Sequence, residues 1–220
     1  MLAIGAGGIG STALPALVGA GVGLLRVVDP DVVDVSNLHR QPLFTSADVG
    51  RAKVTVAAER LSAIKPLVAI EAVERRAETA TLPALLDGID LVIDGSDNFA
   101  TRLAVSDAAT AAHISLVSAA VARFQGQVGT FTGWLPDRPC YRCFVGDAHD
   151  SDDCDTCADQ GVLGAMVAMV AAFGALEAIR HITSFGESAA GKLHIIDGLE
   201  PRWRTMVLPK DPACRGCRSA

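Results

Sequence analysis

The pattern of apolar and polar positions in the first half of the chain alternates between two periods. Short apolar runs rich in β-branched residues are separated by longer segments in which apolar residues recur every three or four positions. The first pattern is typical of strands buried on both faces of a parallel sheet, and the second is typical of helices that cover such a sheet. We therefore expect an α/β fold with a mostly parallel sheet and helices on both faces. The predicted strands are Leu2–Ile4, Leu24–Asp29, Val68–Val73, Leu91–Asp94 and Leu116–Ser118.

Helices are predicted between these strands. The first runs from Gly8 to Gly21, and Pro15 is expected to kink it or to delay its regular part. The second spans Lys53–Ile64, whose apolar residues follow the spacing of one helical face. The third spans Asn98–Ala112. These helices would fill the gaps between consecutive strands.

The pattern changes after Ser118. Strands are predicted at Gln125–Thr132, Lys192–Asp197 and Arg204–Leu208, and we expect them to extend the same sheet. The apolar run Val162–Leu176 is shorter than the roughly 20 residues that span a bilayer, so it predicts a buried helix rather than a membrane span. A contribution of this helix to a dimer interface is the alternative to its burial in the core of one chain. The Asp- and Gly-rich stretch from 146 to 161 lacks periodicity and predicts a mobile surface loop.

Composition restricts the classes of function. The 220 residues are 50% hydrophobic, which is enough for one substantial core. The net charge of −6 and the pI near 5.3 argue against general binding to nucleic acid or to an anionic membrane. No Arg-rich leader or cleavable apolar segment opens the sequence, so a cytoplasmic location is expected.

A glycine-rich turn follows the first predicted strand and opens the first helix. Its sequence is Gly5-Ala6-Gly7-Gly8-Ile9-Gly10. In this position glycines let the backbone approach phosphates beside a helix N-terminus, as in Rossmann-like folds. Asp29, at the end of the second strand, is suited to accept hydrogen bonds from the ribose hydroxyls of an adenine nucleotide. The motif predicts an adenosine ligand, but it does not distinguish NAD from ATP.

The segment between Asp31 and Lys53 favours ATP. It is too long for a tight turn and carries Asn37, Arg40 and Lys53. A dehydrogenase does not need several cations near its phosphates, whereas an enzyme that expels pyrophosphate must stabilise the developing negative charge. The alternative is that Arg40 and Lys53 are ordinary solvated surface charges.

Asp97 is the candidate magnesium ligand. It follows the fourth strand in the run Asp94-Gly-Ser-Asp97-Asn98, on the edge where open α/β sheets bind ligands. Mg²⁺ is usually held by one or two carboxylates together with phosphate oxygens, so one aspartate is sufficient. Without this context, Asp97 would be interpreted as a helix cap.

Six cysteines form three C-x-x-C pairs: Cys140/Cys143, Cys154/Cys157 and Cys214/Cys217. In a cytosolic enzyme such pairs indicate metal or redox chemistry rather than structural disulfides. The first and third pairs would form a closed Cys₄ site for structural Zn²⁺. Spacing alone leaves the middle pair open as ligands.

Taken together, these motifs resemble the ThiF/MoeB/HesA family, the bacterial relatives of ubiquitin-activating enzymes. The resemblance covers nearly the whole chain in the expected order. It rests on the glycine turn, Asp29, S-N-L-H-R-Q, V-G-R-A-K, D-G-S-D-N, C-Y-R-C and C-R-G-C. It implies one adenylation domain over residues 1–220, with a nucleotide-binding part at 1–135 and a zinc-binding, loop and C-terminal part at 136–220.

The resemblance implies an adenylyltransferase that activates the C-terminal Gly of a ubiquitin-like sulfur-carrier protein of the ThiS or MoaD type, in thiamine or molybdenum cofactor biosynthesis. It also implies a homodimer, with ATP, Mg²⁺ and structural Zn²⁺ as ligands. Asp29 would bind the ribose, Arg40 and Lys53 the phosphates, and Asp97 the Mg²⁺. The full set of implied nucleotide-site residues is Gly5, Gly7, Gly8, Gly10, Asp29, Ser36, Asn37, Arg40, Gln41, Lys53, Asp97 and Asn98.

Cys157 corresponds to the loop cysteine that forms a covalent link to the carrier tail in this family. It would attack the acyl adenylate as a nucleophile. Four nearby aspartates disfavour its thiolate, so an idle or redox-active thiol is an equal alternative. A disulfide between Cys154 and Cys157 is also open.

The sequence leaves two other functions open. Family members usually carry an arginine in a helical segment before the first strand, and this sequence opens at that strand, which favours a non-catalytic carrier-binding scaffold as the second hypothesis. The third is an NAD-dependent oxidoreductase, which is disfavoured because the histidines are scattered along the sequence. The sequence does not identify the carrier.

Overall fold

The computed structural model describes residues 1–146 and 161–218. Within them, eight strands form one sheet in the order β3-β2-β1-β4-β5-β6-β7-β8. The strands are β1 (Leu2–Ile4), β2 (Leu24–Val28), β3 (Ala69–Val73), β4 (Leu91–Asp94), β5 (Ser115–Ala122), β6 (Gln125–Phe131), β7 (Lys192–Asp197) and β8 (Arg202–Val207). The helices are α1 (Gly8–Ala20), α2 (Lys53–Ile64), α3 (Leu82–Leu85), α4 (Phe99–Ala111), α5 (Tyr141–Val145) and α6 (Gly164–Thr183).

The sheet has a parallel half and an antiparallel half. Strands β1 to β5 pair in parallel. Strands β5 to β8 pair antiparallel, each with the next along the chain. The prediction that the later strands extend the same sheet is therefore confirmed. Because β1 pairs in parallel with both β2 and β4, the carboxyl ends of these three strands lie at one edge of the sheet. The chain order reverses there, since β3 lies beyond β2 and β4 lies on the other side of β1.

Helices cover both faces of the sheet, as predicted. On one face, apolar side chains of α1, α2 and α6 pack against alternate residues of the strands. The helix side chains in this cluster include Leu14, Leu17, Val54, Leu61 and Val170. On the other face, α3, α4 and α5 cover residues such as Leu2, Ile4 and Leu116. Strand residues alternate between the two clusters because successive side chains point to opposite faces.

The long apolar helix α6 belongs to the core of this chain, as the sequence predicts. Its buried residues include Met166, Val167, Val170 and Ala171. Its length and apolar composition would also suit a membrane span, and 44% of its most apolar stretch is buried against the rest of the protein. We interpret α6 as a core helix that covers the centre of the sheet.

Several elements differ from the predicted bounds. Helix α1 continues through Pro15 and begins at Gly8, so its regular part is not delayed. Strand β5 is longer than the predicted Leu116–Ser118, because pairing with β6 extends it to Ala122. The short helices α3 and α5 were not predicted, since four or five residues are too few to show a helical period. The stretch predicted as a mobile loop falls mainly in 147–160, outside the described residues.

Candidate functional site

A cavity of about 380 Å³ opens at the carboxyl edge of the parallel strands. It lies where the turns after β1, β2 and β4 meet, which is the position predicted from the topology. Ten of the residues implied for the nucleotide site line it: Gly5, Gly7, Gly8, Asp29, Asn37, Arg40, Gln41, Lys53, Asp97 and Asn98.

The glycine turn disfavours side chains at two of its positions, one because of its backbone conformation and one because of close packing. Gly5 has a φ of +92°, in the left-handed region that favours glycine. A Cβ on Gly10 would lie 2.2 Å from the carbonyl oxygen of Gly5. Gly10 does not line the cavity; its role is to let α1 start directly against the strand end.

Replacing Gly10 with alanine is therefore expected to destabilise the fold by about 3 kcal/mol or more, because the clash is with backbone that has little room to move. Gly19 lies in the same helix, and a Cβ there would meet nothing within 4 Å. Gly19→Ala should instead stabilise by about 0.5–1 kcal/mol. Urea unfolding of the two variants checks both directions, and equal stabilities would contradict the packing argument.

The first turn of α1 has donors available for an anion. Its N-cap residue, Gly7, makes no side-chain capping hydrogen bond, and no acidic residue occupies the first turn. The exposed N–H groups and the positive end of the helix dipole suit phosphate oxygens.

Asp29 is buried beside this turn and ties it to β2. Its Oδ2 accepts a hydrogen bond from Ala6 N at 2.7 Å, and its Oδ1 accepts one from Asp31 N at 2.8 Å. Burial raises the pKa of Asp29, and the Lys53 ammonium is the largest influence that opposes this rise. Each oxygen keeps a lone pair for a further donor.

Lys53 is not a solvated surface charge. It is 4% exposed, and its Nζ lies 3.0 Å from Asp31 Oδ2. The two ends of the loop between β2 and α2 pair through an antiparallel bridge between Val32 and Ala52, so the chain returns to the end of β2. Lys53 is consequently held at the cavity wall, and the surface-charge alternative is wrong for this residue.

Arg40 lies on the same loop between β2 and α2, and this loop packs between the N-terminal ends of α1 and α6. A Cβ on Gly164, the first residue of α6, would lie 2.4 Å from His39 O. A Cβ on Gly8, in α1, would lie 3.7 Å from Arg40 O. Arg40 Nη1 hydrogen-bonds Ser36 O at 3.3 Å and His39 Nε2 at 2.8 Å. These close approaches hold the loop of Arg40 against the starts of α1 and α6, and Arg40 lines the cavity.

The turn after β4 presents Asp97 and Asn98. Asn98 is the N-cap of α4, since its Oδ1 accepts a hydrogen bond from Thr101 N at 2.8 Å. Asp97 is exposed and lines the cavity, and it accepts no hydrogen bond from the residues that the structure describes. Because Asn98 provides the cap, Asp97 remains available for a ligand.

Sequence reasoning and structure differ at a few positions. Ser36 does not line the cavity; its backbone N and Oγ donate to Asp34 Oδ1. Arg76 and Arg102 do line it and were not predicted. A signal existed for both: Arg76 follows β3 at the same sheet edge, and Arg102 lies one helical turn after Asn98.

The four cysteines of the first and third pairs come together in space. The Sγ atoms of Cys140, Cys143, Cys214 and Cys217 all lie within 4.8 Å of one another. The closest measured separations are 3.5 Å between Cys143 and Cys217 and 3.6 Å between Cys140 and Cys214. Tetrahedral ligands at about 2.3 Å from Zn²⁺ are separated by about 3.8 Å, so the spacing suits one metal ion. Cys154 and Cys157 lie outside the described residues.

The electrostatics of the cluster favour a thiolate. Hydrogen bonding from Cys140 is the main cause that lowers the pKa of Cys143, to about 5. The same pairing, followed by burial, raises the pKa of Cys140. Burial raises the pKa of Cys217 to about 11. All four thiols would ionise together only if a cation compensated their negative charges, and a bound metal ion supplies that compensation.

The fold and cavity define an α/β nucleotide-binding domain with a cysteine cluster that suits a metal ion. The ThiF family model matches residues 1–216, and the chain therefore belongs to the ThiF family. It is 41% identical to the sulfur carrier protein adenylyltransferase of Thermus thermophilus over 220 residues, covering 99% of this chain and 81% of that protein. It is 36% identical to the molybdopterin-synthase adenylyltransferase of Salmonella typhimurium over 217 residues, covering 99% of this chain and 86% of that protein.

Solved structures share the fold. Escherichia coli MccB with ATP superposes with a TM-score of 0.82 at 21% identity, over 98% of this chain and 66% of that chain. PaaA superposes with a TM-score of 0.78 at 22% identity, over 96% of this chain and 64% of that chain. The chain thus spans about two thirds of the length of these structures, and the likeness establishes the architecture.

Proposed function

We propose that this chain is an adenylyltransferase that transfers AMP from ATP to the C-terminal carboxylate of a ubiquitin-like sulfur-carrier protein, for sulfur transfer in thiamine or molybdenum cofactor biosynthesis. The observation that carries the proposal is the convergence of Arg40, Lys53 and Asp97 on the cavity formed by the glycine turn. The similarity to two adenylyltransferases over almost the whole chain supports it.

The reaction needs positioning and charge neutralisation rather than a general base. The carrier carboxylate is already ionised at neutral pH, so it can attack the α-phosphorus directly. A bond forms between a carboxylate oxygen and that phosphorus, the bond to the β-phosphate bridging oxygen breaks, and pyrophosphate leaves. Arg40, Lys53 and the first turn of α1 would stabilise the phosphate charge. Asp29 would orient the ribose.

Two metal ions belong to the proposal. Asp97 would hold Mg²⁺, which neutralises phosphate charge when it is bound. The four-cysteine cluster would hold structural Zn²⁺, for which its donor set and sulfur separations are suitable. Because four protein thiolates leave no open coordination position, this second site would stabilise the fold and take no part in the chemistry.

The decisive experiment is ATP–pyrophosphate exchange with a purified carrier that ends in Gly-Gly. We expect exchange only when both carrier and Mg²⁺ are present, and none when the carrier lacks its last glycine. A carrier that binds without stimulating exchange would favour the scaffold alternative. Identification of the small protein ending in Gly-Gly that copurifies with this chain would show which carrier it activates.

A dehydrogenase activity receives no support from the site. None of the four histidines that the structure describes lines the cavity. Titration with NADH should leave its fluorescence unchanged.

We propose a cytoplasmic homodimer, which light scattering of the purified protein would test. Exposed apolar side chains on the described part of the chain, such as Trp203 and Met206 on β8, are available for partner contacts. A covalent role for Cys157 stays a prediction, and intact-mass analysis with carrier and ATP would reveal a Cys157-dependent adduct.

A further inference from the structure

Arg102 joins the turn that carries Asp97 to the central sheet. Its side chain is on α4 and is 6% exposed. Nη1 donates to Ser118 Oγ at 3.0 Å, and Nη2 donates to Ala119 O at 2.9 Å and to Ser96 O. Ser118 and Ala119 belong to β5, whereas Ser96 directly precedes Asp97. One guanidinium therefore fixes the turn after β4 relative to the neighbouring strand.

Tyr141 connects Arg102 to the cysteine cluster. It lies between Cys140 and Cys143 in sequence and is 2% exposed. Its ring packs edge-on against Phe131, with centroids 5.5 Å apart. Burial raises the pKa of Tyr141, and the charge of the nearby Arg102 guanidinium is the largest influence that opposes this rise. A buried tyrosine from the segment that carries the first cysteine pair thus lies near the arginine at the nucleotide cavity.

The cluster is also attached to α4 by further contacts. Arg142 donates to both Asp107 carboxylate oxygens, at 2.8 Å from Nε to Oδ1 and 2.9 Å from Nη2 to Oδ2. Tyr141 N donates to Ser106 Oγ at 3.2 Å. A Cβ on Gly216, from the third cysteine pair, would lie 2.8 Å from Arg142 Cδ. The segments of the first and third cysteine pairs are therefore packed against α4, whose first turn borders the cavity.

We infer that Arg102 is a positioning residue for adenylyl transfer, because it holds the Asp97 turn in the geometry that binds the metal–nucleotide complex, and that the buried Tyr141 near it supports this geometry from the segment of the first cysteine pair. The inference rests on the proposed function. A guanidinium presents several donors in a fixed planar fork, so it can reach β5 and the turn together, which a lysine ammonium on a flexible stem cannot do with the same precision.

The inference predicts a defect in metal binding rather than in folding. Loss of groups that orient a metal ligand typically lowers metal affinity or activity by about 10- to 100-fold. Arg102→Met should therefore raise the Mg²⁺ concentration for half-maximal exchange by about that factor. Tyr141→Phe, which keeps the ring packing, should change it in the same direction and less. Arg102→Lys should fall between wild type and Arg102→Met.

A binding measurement separates this inference from the proposed function. Mn²⁺ binding would be followed by electron paramagnetic resonance, in the presence of a non-hydrolysable ATP analogue, on full-length wild type and each variant. The matched control is Arg26→Met, because Arg26 also donates to two backbone carbonyls, of Leu85 at 2.7 Å and Asp87 at 3.1 Å, but does not line the cavity.

Weaker Mn²⁺ binding in the Arg102 and Tyr141 variants, with wild-type binding in Arg26→Met, is the expected result. Wild-type Mn²⁺ affinity in both Arg102→Lys and Tyr141→Phe would overturn the inference, as would equal weakening in Arg26→Met. These two mild variants decide the question even where Arg102→Met does not fold. Failure of the proposed function would appear separately, as absence of carrier-dependent exchange in the wild type.

Discussion

Asp97→Ala is expected to lower carrier-dependent ATP–pyrophosphate exchange by about 100-fold or more while the protein keeps its fold. Removal of one group that stabilises transition-state charge typically costs about 100- to 1,000-fold in rate. The structural role of Asp97 is small, because it is exposed, accepts no hydrogen bond from the described residues, and leaves the capping of α4 to Asn98. Exchange kinetics together with thermal unfolding would measure both quantities.

The same strand supplies the control for this prediction. Asp90 directly precedes β4 and is exposed, but it lies at the opposite end of the strand from Asp97. Asp90→Ala should exchange at the wild-type rate. Wild-type exchange in Asp97→Ala would remove this residue from the active site. Arg40→Ala should behave as Asp97→Ala does, since Arg40 also lines the cavity and the backbone of its loop packs against the starts of α1 and α6.

Most of the fold was predictable because its elements are long or strictly patterned. Helix α2 and strands β1, β4 and β7 have the predicted bounds, since each is a clear apolar pattern that ends at a change of polarity. The extension of β5 to Ala122 was not predictable from the local sequence, because it depends on pairing with β6. Register and pairing of this kind arise from tertiary contacts, which a single run of residues does not contain.

The candidate site was predictable where glycine or charge carries a specific chemical requirement. The glycine turn, Asp29 and Asp97 occupy the ends of consecutive parallel strands, so topology alone brings them together. The position of Arg40 at the cavity depends on a tertiary contact as well, because its loop packs against Gly164 at the start of α6, far away in sequence. Arg102 was missed although it lies one helical turn after Asn98, because residue type alone does not distinguish a buried arginine that donates to backbone carbonyls from an exposed one.

The cysteine cluster supplies the second large effect. Cys214→Ser is expected to remove bound zinc, which we expect at one ion per wild-type chain, and to lower the thermal midpoint by roughly 10 °C, given about 2–4 °C per kcal/mol for a chain of this size. The sulfur of Cys214 is buried, lies 3.6 Å from that of Cys140, and joins the end of the chain to α5. Without a metal, the thiols cannot all ionise and the two segments lose their common ligand.

Metal analysis by mass spectrometry and thermal scans in parallel would test this, with the middle cysteine pair, Cys154 and Cys157, as the control. Cys154→Ser and Cys157→Ser should each retain zinc and the wild-type midpoint, because the four ligand sulfurs of a closed tetrahedral site come from the other two pairs. Retention of zinc by Cys214→Ser, or its loss from either control variant, would show that the ligands are paired differently. An unchanged midpoint despite zinc loss would mean that the antiparallel half of the sheet and the packing of α5 on α4 hold this region without the metal.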